Sequence, residues 1–161
     1  MRNIIIVLAL LLLLVPTIGC AQKKVDAKAD AKTGELNWIE DYDLALQTAN
    51  NEDKIVLINF TGSDWCGWCK RLVAEVFSKP EFATYAKKNL VLLMLDFPSN
   101  FKELPANVQK ERQQLQEKYK VRGYPTILLT NAQGEVIGQT GYQAGGAEKY
   151  VEHLTELINK K

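Results

Sequence analysis

The chain has 161 residues, 47% of them apolar and 24% charged, enough for one modest globular domain behind a removable leader. Arg2 is the one charge of that leader, so the remainder balances 19 basic against 19 acidic residues and offers no electrostatic footprint for nucleic acid. With three cysteines and one histidine, a four-ligand zinc site is not expected. Lys70, not histidine, follows the second of the closely spaced cysteines, which excludes a c-type haem attachment.

Residues 4–15 form an unbroken apolar run of 12 behind Met1-Arg2-Asn3. That length suits the core of a signal peptide and falls short of the roughly 20 residues a membrane-spanning helix needs. The run ends in Pro16-Thr17-Ile18-Gly19-Cys20, which resembles the lipobox of bacterial lipoproteins, although Thr17 stands where Leu is usual. The resemblance implies a signal peptide over 1–19 and lipidation of Cys20; ordinary cleavage after Ala21 is the alternative. Both readings take the protein out of the cytoplasm, and the first anchors it by lipid to a membrane facing the bacterial periplasm. Residues 20–35 are rich in Ala, Lys and Asp and too poor in large apolar side chains to order themselves, so they read as a flexible tether. A coil of this kind has a reach of roughly 20 Å.

The domain proper is placed at 36–161. Apolar residues Trp38, Tyr42, Ala45, Leu46 and Ala49 fall at helical spacing, which predicts a helix over 38–50. A β-branched apolar run predicts a strand over 55–60 that is buried on both faces. A short loop, 61–64, leads to Cys66 and Cys69, after which Leu72, Val73, Val76 and Phe77 mark a helix with one buried face. Pro80 interrupts that helix, and 81–88 continues as another. A second buried strand is predicted over 90–95, then a loop over 97–104, then a helix opened by Pro105 and running to about Lys120. A hairpin, 126–130 with 135–140, and a closing amphipathic helix over 147–159 complete the order. A βαβ unit followed by a hairpin implies an α/β fold, with a mixed central sheet and helices on both faces.

The cysteine pair lies past the C-terminal end of the first long strand and at the start of a helix, where reactions in open α/β sheets concentrate. Unpaired backbone N–H groups and the positive end of the helix dipole favour thiolate at the first cysteine. Such motifs lower the thiol pKa from about 8.5 to between about 3.5 and 7, and Lys70 adds a positive charge. Cys66 is therefore the expected attacking thiol, and Cys69, one turn deeper, the resolving one. A structural staple is a poor alternative: closing so short a loop stabilises by only about 2 kcal/mol, against nearly 5 for a long one.

Phe60, the stretch Trp65-Cys66-Gly67-Trp68-Cys69-Lys70 and the later Tyr124-Pro125-Thr126 resemble the thioredoxin superfamily, and the match runs from about residue 38 to 159. The wording Phe-Thr-Gly-Ser-Asp-Trp-Cys looks most like a subgroup common among exported bacterial proteins. The resemblance implies a thioredoxin fold, catalytic Cys66 and Cys69 and no cofactor beyond their disulfide. It also implies a cis bond before Pro125 that exposes the Tyr124 backbone to a substrate strand. Trp65, Gly67, Trp68, Tyr124 and Pro125 are then the candidate substrate contacts. Family members usually carry a buried Asp beneath the cysteines; Asn59 stands there. A neutral amide cannot take the Cys69 proton, so that task passes to water or to another carboxylate, with Asp64 the candidate. Asn59 is alternatively a hydrogen-bonded buried amide without a chemical role. Trp68 stands where thioredoxins proper have proline.

The leading reading is thiol–disulfide exchange with protein substrates by a monomer, in the direction of reduction, resupplied by a membrane electron donor. An oxidase or isomerase, or a binding lipoprotein using the fold without turnover, are the alternatives. His153, among apolar positions of the closing helix, is read as a solvated side chain and not a base, and residues 110–120 as a charged helix face.

Overall fold

The computed structural model describes residues 36–160; the expected leader, Cys20 and the expected tether lie outside the described residues. Strands β1 (Trp38–Ile39), β2 (Ile55–Thr61), β3 (Leu90–Asp96), β4 (Thr126–Thr130) and β5 (Val136–Thr140) form one five-stranded sheet in the order β1-β3-β2-β4-β5. β1 and β2 run parallel to β3, and β4 runs antiparallel to both β2 and β5. The mixed sheet is thus the one the βαβ-plus-hairpin order implies.

Strand alternation sends successive side chains to opposite faces. Val56, Ile58 and Phe60 of β2 join Val91, Leu93 and Leu95 of β3 on one face. Helices α1 (Tyr42–Glu52) and α4 (Ala106–Lys118) cover it through Ala45, Ala49 and Leu115. Leu57, Leu90, Leu92, Ile127 and Leu129 face the other way. There they pack against α2 (Gly67–Leu72) and the π-helical turn Val73–Phe77 that continues it, and against α3 (Pro80–Asn89) and α5 (Gly146–Asn159). Both long parallel strands are buried on both faces, which is why they carry no polar alternation. Asn59, a buried polar residue, and Met94, half-buried, are paired in register across β2 and β3, and the alternation puts both on the α2 face.

Three local expectations give way. Trp38 and Ile39 pair with Leu92 and Leu93 as an edge strand, and the helix starts only at Tyr42, behind Asp41. The Asp41 side chain accepts from the Leu44 N–H at 2.8 Å, a cap that ends the extended segment; the four-residue step from Trp38 to Tyr42 only mimics a helix. Val73 is 46% exposed instead of buried, because the helical ladder widens to π spacing there and turns Val73 off the core face that Leu72, Val76 and Phe77 keep. Pro105 is the cap rather than the first residue of α4, which ends at Lys118 because Lys120 is left-handed at φ 52°. The loop after β3 holds a short 3-10 turn, Phe101–Glu103.

Candidate active site

The two cysteines sit where β2 ends and α2 begins. Cys66 is the cap of α2, with extended backbone, and its Sγ accepts from the Cys69 N–H at 3.2 Å. Its own N–H donates to the Gly62 carbonyl at 2.9 Å, which closes the loop ahead of it. The pair is oxidised, Cys66 Sγ bonded to Cys69 Sγ, and both residues are buried, Cys69 the deeper. Because Cys66 caps the helix, its sulfur stands at the positive end of the helix dipole and takes the Cys69 N–H of the first turn, an arrangement that stabilises negative charge there.

The Tyr124–Pro125 bond is cis. The register Phe60↔Thr126 places Pro125 beside the same end of β2 that delivers the cysteine loop. Trp65 and Tyr124, which flank the two halves of the site, meet edge to face with ring centroids 5.7 Å apart. The Trp65 indole N–H donates to the Phe97 carbonyl at 2.7 Å, and the Phe97 ring packs against Tyr124 at 5.4 Å. The Tyr124 hydroxyl accepts from Gln116 at 2.9 Å, and burial raises its pKa. Gly62 is needed for this arrangement, since a Cβ there would lie 2.4 Å from the Trp65 ring. Trp65 and Trp68 remain 52% and 55% exposed, large apolar surfaces on either side of Cys66 in the chain. A Cβ at Gly67 would meet nothing within 4 Å, so the space between them is open.

Behind the pair lies a cavity of about 340 Å³ lined by Asn59, Thr61, Ser63, Cys69, Lys70, Val73, Ala74 and Met94. Asn59 is 2% exposed, and its Oδ1 has no hydrogen-bond partner among the described residues. Asp64 is engaged elsewhere. Its carboxylate accepts from the Ser99 N–H at 3.0 Å and from the Ser99 hydroxyl. Those bonds, with the Lys70 charge nearby, hold its pKa below the usual carboxylate value and weaken it as a proton acceptor. The Lys70 ammonium donates to the Asp64 carbonyl at 2.6 Å, bracing the loop it shares with the cysteines. The Ser63 N–H and hydroxyl both reach the Asp96 carboxylate, at 2.8 and 2.6 Å, and tie the loop to the end of β3.

Sequence reasoning passed over Gly62, Phe97, Met94, Ser99 and the group around Trp68. Met94 was within reach, because pairing β2 with β3 in register sets it opposite Asn59. The rest depend on how loops fold back, which no spacing rule reports. His153 bonds the Thr140 hydroxyl at 2.9 Å. Among the described residues no group of three or more His, Cys, Asp or Glu side chains is arranged to hold a metal ion, and no helix is long and apolar enough to cross a membrane.

The family of thioredoxin-like domains matches residues 42–157, which takes in the cysteine pair, the cis-proline and all of the sheet except β1. The chain belongs to the thioredoxin-like family. Its fold is the thioredoxin fold, and with a disulfide at Cys-X-X-Cys spacing at the helix start it is a thioredoxin-like thiol–disulfide oxidoreductase. Over 123 residues it is 33% identical to the disulfide bond reductase DsbH of Chlamydia pneumoniae, covering 76% of this chain and 73% of that protein. It is 32% identical to the thiol:disulfide interchange protein DsbD of Photorhabdus laumondii over 124 residues, 75% of this chain but only 19% of that protein. A solved structure of a DsbH oxidoreductase superposes with a TM-score of 0.73 at 29% identity, covering 79% of this chain and 87% of that one.

Proposed function

We propose that this thioredoxin-like protein is a protein-disulfide reductase working outside the cytoplasm, with Cys66 as nucleophile and Cys69 as resolving thiol. The observation that carries these thiol roles is Cys66 as the cap of α2, its sulfur accepting from the Cys69 N–H, with Cys69 buried one turn behind. In the reduced protein the Cys66 thiolate attacks one sulfur of a substrate disulfide, forms a mixed disulfide and expels the other sulfur as a thiolate, which solvent protonates. Cys69 gives its proton to water, and its thiolate attacks the Cys66 sulfur, breaking the mixed disulfide and expelling the second substrate sulfur as a thiolate that solvent protonates. The substrate leaves as a dithiol, and two electrons have passed from the protein pair to it, giving the Cys66–Cys69 disulfide. No cofactor takes part in this sequence.

Asn59 cannot accept the Cys69 proton, and the Asp64 carboxylate is held by Ser99. Water entering the cavity between Asn59, Cys69 and Lys70 is the proton acceptor in this reading, with the unpartnered Asn59 Oδ1 as its anchor. Trp65, Gly67, Trp68, Tyr124 and Pro125 form the substrate surface, and the Lys70 ammonium favours the thiolate. The direction rests on the likeness to a protein named a disulfide bond reductase. The apolar leader and Cys20 support export and a lipid anchor on the periplasmic side, with a membrane donor returning the pair to the dithiol. Rescue of misoxidised proteins and cytochrome c maturation are duties that share this chemistry.

The test is the reduction potential of the Cys66–Cys69 pair in the full chain, equilibrated against glutathione and dithiothreitol buffers. A value near or below about −250 mV, close to thioredoxin's, agrees with a reductase; one near about −120 mV makes the protein an oxidant or isomerase. A pair that exchanges with neither buffer removes turnover altogether and leaves a binding module.

A further inference from the structure

Trp68 is 55% exposed, yet its indole is held on several sides. Trp68, Arg71 and Glu75 follow one another at steps of three and four along the helical run and share a face. Tyr142 reaches them from the loop after β5. Its ring lies 5.2 Å from the Trp68 ring, tilted by 38°. The Arg71 guanidinium stands over both rings, 5.6 Å from the Trp68 centroid and 5.2 Å from that of Tyr142. Glu75 closes the group: one carboxylate oxygen accepts from Arg71 Nε at 2.6 Å, the other from the Tyr142 hydroxyl at 2.6 Å. The loop that carries Tyr142 is seated against the cis-proline, since a Cβ at Gly141 would press on the Pro125 carbonyl at 3.1 Å. A single carboxylate thus links the helix of the cysteines to the loop beside Pro125.

An exposed aromatic ring fixed in advance gives up little freedom on binding, which is what makes it effective as an anchor. The charge of Arg71 is met by Glu75, so the group offers no free cation to an acidic residue. What it presents beside Cys66 is indole surface. We propose that Arg71, Glu75 and Tyr142 are specificity-determining residues that fix Trp68 as an apolar wall of the site, and that this wall selects substrates with an apolar or aromatic residue next to the target cysteine. The inference rests on the oxidoreductase reading above and adds to it the class of substrate. Arg71, Glu75 and Tyr142 are positioning residues, acting through Trp68.

The test uses the reduced full chain and three disulfide-bonded peptides that differ only in the residue beside the cysteine: Phe, Ser or Asp. The parent is expected to reduce the Phe peptide with a kcat/KM about three- to tenfold above the Ser peptide, the value of one aromatic contact. Trp68→Ala brings that ratio close to one. Tyr142→Phe, which keeps the ring and loses the bond to Glu75, and Glu75→Gln, which removes the charge, each lower the ratio at least twofold through KM. Both leave the reduction potential of the cysteine pair where it is in the parent. A parent ratio near one overturns the proposal, as does a ratio that neither Tyr142→Phe nor Glu75→Gln changes. Preference for the Asp peptide assigns selection to the Arg71 charge and overturns the apolar wall. A shifted potential in both variants shows the group acting on the cysteines instead of on substrate. A parent that reduces none of the peptides, and whose pair exchanges with neither redox buffer, fails as an oxidoreductase and takes this inference with it; a parent that exchanges with buffer but shows no preference fails only here.

Discussion

Replacing Asn59 by Asp puts an ionisable group on the floor of the cavity behind Cys69 at almost no change in volume. The site is 2% exposed, and no side chain among the described residues donates to the Asn59 Oδ1. A carboxylate there loses hydration and gains no side-chain hydrogen bond, and the Lys70 ammonium on the same cavity is held by the Asp64 carbonyl. Desolvation therefore prevails and the pKa rises, by about 2 to 3 units given a cavity that water can enter, against up to 5 for a sealed site. The unfolded value is about 3.9, which places the folded one near about 6 to 7. Between those two values the native state holds one proton more than the unfolded state, so stability falls as pH rises, at about 1.4 kcal/mol per pH unit. The variant is therefore close to the parent at pH 4 and about 3 to 4 kcal/mol less stable than it at pH 8. Urea unfolding of the oxidised parent and variant at pH 4, 6 and 8 reads this as a difference that grows through the series. A difference that stays constant from pH 4 to pH 8 would refute the reasoning, because the new carboxyl would then titrate alike in folded and unfolded chains. Where the carboxylate is ionised it also supplies the base that Asn59 lacks, so the resolving step of the Asp variant gains rate with pH through the same interval.

Gly62→Ala drives a methyl group into the Trp65 ring, breaks the indole bond to the Phe97 carbonyl and separates Trp65 from Tyr124; the loss is about 2 kcal/mol of stability with a changed tryptophan emission, read together in a fluorescence-monitored urea titration. Cys69→Ser leaves Cys66 able to attack but not to be released, so incubation with a disulfide peptide accumulates a mixed disulfide visible by intact mass, whereas Cys66→Ser accumulates none. Ser99→Ala removes the hydroxyl donor that does most to lower the Asp64 pKa, so the carboxyl of Asp64 titrates at higher pH than in the parent, followed by its carboxyl carbon resonance in NMR.

What could be read ahead of the structure divides by the range of the forces involved. The buried strands were legible because both faces of β2 and β3 are covered, leaving runs such as Leu90 to Leu95 with no polar alternation. The redox pair was legible because its chemistry depends on residues three apart at one helix start, a local fact. Trp38 was misread because a four-residue step carries the same period whether the chain is helical or extended, and only the distant partners Leu92 and Leu93 decide between them. Val73 was misread because its position follows from a change of helical ladder that no side-chain pattern announces.

The surroundings of the cysteines lay further out of reach, and the reason is physical. Trp65, Trp68 and Asp64 each owe their place to a partner more than 30 residues away: the Phe97 carbonyl, Tyr142 and Ser99. Those partners sit in the loops after β3 and β5, whose paths are set by contacts with residues distant in the chain and not by period or propensity. The thioredoxin frame fixes where the sulfur chemistry happens, whereas the loops fix how the two indoles are exposed, and so, in the proposed function, what they present to a substrate. Selectivity in this protein is therefore the property least accessible to spacing rules and most accessible to substitutions such as Tyr142→Phe, which leave the cysteines and the helix cap untouched. If the indole wall selects substrates as proposed, a chain that kept Cys66, Cys69 and Pro125 but lost Tyr142 or Glu75 would retain the exchange chemistry and choose its partners differently.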